Sequence, residues 1–149
     1  MSFVGWLKRS FARTTEGLKA HLISTGQLFG VDPTVIERMK RSSDEESERL
    51  FIESIDGRHG TVVDWKASLE EVLEQLTCLT EEEREVLRNA EAALGTQRIY
   101  KVSSQITGLL SPPMRALRIV ETFGDAYFVF LVPPPLVEEF DRVNRHWAI

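Results

Sequence analysis

An α+β fold is what this sequence predicts, with helices packed on an antiparallel sheet of about four strands. Three observations lead there. Two stretches, 51–66 and 114–132, hold strand-like runs on either side of turns that contain glycine. Between and around them, Ser/Thr-x-x-Glu signals mark helix starts. Prolines then close the segments, as at Pro112-Pro113 and Pro133-Pro134-Pro135.

The chain begins with a helical arm, residues 2–29. Phe3, Val4, Leu7 and Phe11 fall on one stripe, which Leu18 and Leu22 continue. Trp6 adds a large aromatic, and Lys8, Arg9, Arg13 and Lys19 make the arm basic. A stripe of this kind docks on its own domain, on a second copy or on another protein. Phe3, Trp6, Leu7 and Phe11 are therefore the candidate interaction residues. An amphipathic basic helix also fits the surface of a membrane, so residues 2–13 carry that alternative. Gly30-Val31-Asp32-Pro33 sets the expected boundary, with an arm over 1–30 and one domain over 31–149.

Asp32 before Pro33 starts the next helix, as N-cap and first helical residue. Ser43 and Glu46 match a capping box and predict a further turn or two of helix. Residues 51–55 and 61–65 read as a hairpin around Asp56-Gly57-Arg58-His59-Gly60, with Phe51 and Ile55 on one face and Glu53 between them. Ser68 with Glu71, and Thr80 with Glu83, open two more helices, the second stopped by Gly95. Residues 97–110 have Ile99, Val102, Ile106 and Leu109 at helical spacing, although Tyr100, Val102, Ser104 and Ile106 also fit a strand.

Residues 114–132 form the hairpin around which the rest is organised. Leu117 and Ile119 alternate with Ala116, Arg118 and Val120, and the turn falls at Phe123-Gly124-Asp125. Its second strand is apolar on both faces, Phe128, Phe130 and Val132 on one and Tyr127, Val129 and Leu131 on the other. Such a strand is central and covered on both sides. A last helix starts near Pro135, with Leu136, Phe140, Val143 and Trp147 on its buried stripe.

Composition narrows the function. The chain has 149 residues, which suits one core, and 42% hydrophobic with 28% charged residues is ordinary for a water-soluble domain. Its net charge is −5, which disfavours a nucleic-acid partner. Charge is uneven, with nets of +4 over 1–43, −10 over 44–94 and +1 over 95–149. The acidic middle suits a solvated helical face, and can also meet a basic partner. Cys78 is the single cysteine, so no intrachain disulfide forms. With no secretory signal pattern at the start, the expectation is a reducing cytoplasm.

The strongest polar cluster lies in the loop and strand that hold Asp56, Arg58, His59, Asp64 and Trp65. Asp and His are acid–base groups, and a loop with two glycines lets a ligand approach backbone. Asp64 and His59 are the candidate polar pair, with Trp65 as a wall. Asp56-Gly57 is also plain turn chemistry. The chain lacks HxxxH, HExxH, GxSxG, GxxxxGK[ST] and GxGxxG spacings, so no metal, cofactor or triad site is expected. Cys78 with His21, His59 or His146 has the residue types of a thiol and its base, but its apolar neighbours Leu76 and Leu79 suit a packed side chain better.

Two segments resemble an uncharacterised bacterial domain family, a domain of unknown function. One is Val63-Asp64-Trp65-Lys66 leading into Leu69-Glu70-Glu71-Val72-Leu73. The other is Thr122-Phe123-Gly124-Asp125-Ala126-Tyr127 leading into Phe130-Leu131-Val132-Pro133. The resemblance implies a small bacterial cytoplasmic α+β protein and transfers no active-site residue. The combined expectation is a non-enzymatic interaction domain, immunity-like or adaptor, that binds another protein or itself. The alternative is a small enzyme or ligand-binding domain using residues 56–66.

Overall fold

The computed structural model describes residues 17–121 and 125–149. Its centre is the apolar strand that the sequence singles out. Three strands, β1 (Gly60–Asp64), β2 (Ala116–Glu121) and β3 (Ala126–Val132), form an antiparallel sheet in the order β1-β3-β2. Gly60 lies opposite Phe130 on one side of β3, and Arg118 opposite Phe130 on the other. Strand β3 is therefore paired along both edges. Its alternate side chains enter two separate cores, which is why it carries no wet face.

Helices α1 (Leu18–Leu28), α2 (Pro33–Arg41), α3 (Asp44–Ile55) and α7 (Val137–Val143) cover one face. Leu18, Leu22, Ile36, Met39, Leu50, Phe51, Ile55 and Phe140 pack there against Val120, Phe128, Phe130 and Val132. Phe51 meets Phe128 edge-on at 5.3 Å between ring centroids, and Phe130 meets Phe140 at 5.2 Å. On the other face lie α4 (Leu69–Gln75), α5 (Glu81–Leu94), a 3-10 turn at Ile99–Lys101 and α6 (Ser103–Thr107). Their Leu69, Val72, Leu73, Leu87, Ile99, Val102 and Ile106 meet Val63, Leu117, Ile119, Val129 and Leu131.

The predicted first hairpin is half right. Residues 60–64 form β1, but 51–55 are the end of α3, not a strand, so the described residues hold three strands where about four are expected. The reason is local. The Ser43 hydroxyl accepts from the Glu46 N–H at 3.2 Å and starts a helix that runs unbroken to Ile55. Phe51 and Ile55, four apart, share a face in a helix as well as in a strand. Glu53, two residues from each, is what separates the alternatives. On the helix it turns to solvent and pairs with Arg49, where a strand would have aimed it inward. A short fourth element does exist at the other edge. Ala148 bridges Val120, the Glu121 N–H donates to the Trp147 carbonyl at 2.8 Å, and the Ile149 N–H donates to the Ile119 carbonyl at 3.1 Å.

Other expectations are met with adjustments. Asp32 caps α2, its carboxylate accepting from the Thr34 N–H at 2.8 Å, with Pro33 as first residue. Thr80 and Glu83 form a full capping box on α5. Ser68 precedes α4 without a side-chain cap bond. Residues 97–110 hold only the 3-10 turn and five-residue α6, and the last helix opens as a 3-10 turn, Pro134–Leu136. The turn residues Phe123 and Gly124 lie outside the described residues.

Helix α1, the described part of the expected arm, packs within the chain. Leu22 is fully buried, His21 stacks on Trp147 at 4.5 Å, and the Thr25 hydroxyl donates to the Asn144 side chain at 3.4 Å. Phe3, Trp6, Leu7 and Phe11 lie outside the described residues. No helix among the described residues is long and apolar enough to cross a membrane.

Candidate functional site

The predicted loop cluster is divided by β1 itself. Asp56 and His59 sit before the strand, Asp64 and Trp65 at its far end. Four residue steps separate Gly60 from Asp64, roughly 13 Å of strand. The structure therefore does not bring together the polar pair that sequence reasoning assembled.

Each half has its own role. The Asp56 carboxylate accepts from the Thr61 hydroxyl at 2.9 Å and closes the turn, while Arg58 is exposed. His59 is half-buried and stacked on Phe29 at 4.8 Å, and its carbonyl accepts from the Leu131 N–H at 2.8 Å. Burial, then the charges of Arg115 and Arg58, push its pKa below the ordinary histidine value. At pH 7 it is a neutral packing group. Cys78 is half-buried against the α4–α5 core, whereas His21 lies on the opposite face of the sheet, stacked on Trp147.

At the far end the arrangement is different. The Asp64 carboxylate accepts from the Lys66 N–H at 2.8 Å, a tight turn that holds the chain as it leaves β1. The Trp65 N–H donates to the Asp125 carbonyl at 2.9 Å, which fixes the indole at the edge of the sheet. Residues 98–101 are then brought alongside from the other side of α5. The Ile99 N–H donates to the Ala67 carbonyl at 2.9 Å, and Ser68 bridges Arg98. Ile99 is fully buried, so its neighbours are forced outward around Trp65.

The result is an aromatic and basic patch. The Arg98 guanidinium lies 4.9 Å from the centre of the Trp65 ring and the Lys66 ammonium 5.4 Å. The Tyr100 ring is 6.0 Å away, tilted. Trp65, Arg98 and Tyr100 are half-buried, while Lys66 and Lys101 are exposed. Beneath them Tyr127, opposite Val63 and Glu121 in the sheet, has its hydroxyl pKa raised by burial, then by Glu121 and Tyr100. It is a neutral phenol at pH 7. Among the described residues neither Lys66 nor Arg98 has a carboxylate within ion-pair distance.

Sequence reasoning placed Trp65 and Lys66 in one candidate stretch but missed Arg98 and Tyr100 as their companions. The available signal was Arg98-Ile99-Tyr100-Lys101, a basic and aromatic run around one apolar residue. Among the described residues no group of three or more His, Cys, Asp or Glu side chains is placed to hold a metal ion. Comparisons with family models, with curated proteins and with solved structures find no match to this chain.

Proposed function

We propose that this chain is a non-enzymatic protein-interaction module, adaptor-like or immunity-like, whose contact surface includes the Trp65 patch. The observation that carries this is the half-exposed Trp65 ring set among Arg98, Lys66 and Tyr100. Trp, Tyr and Arg are the residues most enriched among interface anchors, because each presents a large rigid area with a polar edge. The patch is mounted on a sheet end and on a 3-10 turn anchored by buried Ile99, so little ordering is left to be lost on binding. The single cysteine fits a reducing cytoplasm, and the family resemblance fits a bacterial source. Phe3, Trp6, Leu7 and Phe11 form a second contact in this reading, on the strength of their spacing.

The test is native mass spectrometry on protein recovered gently from its own host cells, as wild type and as Trp65→Ala. A species bound by the wild type and lost from a Trp65→Ala protein with an unchanged melting curve is the expected outcome. Identical bound species, or a bare monomer in both, overturns the assignment of Trp65. A triple variant, Phe3, Trp6 and Phe11 to Ser, tests the second contact in the same way.

A further inference from the structure

We infer that the Trp65 patch takes an acidic segment of a partner protein, its carboxylates meeting Lys66 and Arg98 while apolar side chains lie on Trp65 and Tyr100. This rests on the interaction reading above and adds the partner's chemistry. Arg49, Arg115, Arg118, Arg142 and Lys40 each pair with a carboxylate of the same chain, which most of the other described lysines and arginines do not. Lys66 and Arg98 are instead placed together over one aromatic ring with no such partner among the described residues. The one carboxylate next in sequence, Asp64, is held by the Lys66 backbone N–H and turned into the chain's own turn. Two cations 4.9 and 5.4 Å from the centre of one indole, neither with a side-chain hydrogen bond among the described residues, favour an oxygen-rich anion. The aromatic pair beside them favours an anion carried on an apolar backbone, as in a Glu/Leu-rich peptide.

A polyanion such as nucleic acid also stacks on aromatics beside cations. It is disfavoured here because exposed Glu70 and Glu71 open α4 next to the Ser68–Arg98 bridge and repel a long phosphate chain more than a short peptide.

The experiment titrates the full chain with three probes: a synthetic Glu/Leu peptide, its Lys/Leu counterpart and a single-stranded oligothymidylate. Indole fluorescence is the readout, assigned to Trp65 with Trp65→Phe. The inference expects saturable binding of the acidic peptide alone, weakening as salt is raised. Lys66→Ala with Arg98→Ala weakens it roughly ten-fold, and Arg98→Lys recovers part of the loss. Circular dichroism melts confirm that the variants fold. No saturable response to the acidic peptide, or equal binding by the double alanine variant, overturns the inference. So does tighter binding of the oligothymidylate, or a dimer in sedimentation that the acidic peptide disperses, since the occupant is then a nucleic acid or a second copy. If the cellular partner is lost with Trp65→Ala but kept with the double variant, the interaction reading stands and the acidic partner does not.

Discussion

Single residues carry several of the strictest constraints in this molecule. Gly60 is one. A Cβ placed there would lie 2.1 Å from the Val129 carbonyl oxygen, a backbone atom that cannot move aside without breaking the β1–β3 ladder. Gly60→Ala is expected to lower stability by about 2–3 kcal/mol in a denaturant titration. Glu83 is another, 2% exposed and bound at both ends. It completes the α5 capping box and accepts from the Arg115 backbone N–H at 3.1 Å, from Nε at 3.0 Å and from Nη2 at 2.6 Å. Burial raises the pKa of this carboxyl, but the Arg115 and Thr80 hydrogen bonds and the Arg115 charge outweigh it and bring the value down to about 2. A depressed carboxylate pKa stabilises the fold above the unfolded value and loses that contribution as pH falls toward the folded one. Stability measured by melting is therefore expected to fall between about pH 4.5 and pH 2. Glu83→Gln should flatten that dependence and cost roughly 3 kcal/mol at pH 7, because it leaves Arg115 without its counter-charge.

At the level of elements, what the sequence made legible was whatever depends on neighbours in the chain. The β2–β3 hairpin follows from alternation and from a two-faced apolar run, and its place between two cores follows from having no polar face. Capping residues were readable to different depths. Thr80 and Ser68 have the same pattern, yet only Thr80 makes its side-chain bond, at 3.1 Å to the Glu83 N–H. Thr80→Ala is expected to cost about 1 kcal/mol and Ser68→Ala to lose no cap energy, compared by thermal melts of the two variants. Residues 51–55 mislead because an i,i+4 apolar pair fits both periods, and the deciding residue, Glu53, is consistent with a strand only at an edge. Lys66, the next residue, was legible beside Trp65, but that Arg98 and Tyr100 join it was not. Arg98 and Tyr100 reach it through the bond from Ile99 to Ala67, a contact across 32 residues that no local pattern encodes.

The whole molecule is a sheet held between two unequal coats, and its last residues matter to both the coat and the sheet. Trp147 is fully buried against α1, while its carbonyl and the Ile149 N–H pair with β2. Trp147→Ala is expected to cost about 3–5 kcal/mol, read as a lower denaturant midpoint with an unchanged slope. The coats also differ in charge. Helices α4 and α5 lie in the segment of net −10, and the Trp65 patch sits where that acidic face gives way to exposed cations. Placement of that boundary is a property of the assembled fold, since its cations come from residues 66 and 98–101.

The position of β3 in the chain has a consequence for synthesis. Every strand of the sheet needs β3, and Gly60 must wait for Phe130 before it has a partner. On a ribosome, β1 and the helices around it emerge first, with their apolar faces turned toward a template not yet made. The chain thus stays open to chaperones, proteases and misfolded pairings until β3 has emerged, and the sheet then closes around it.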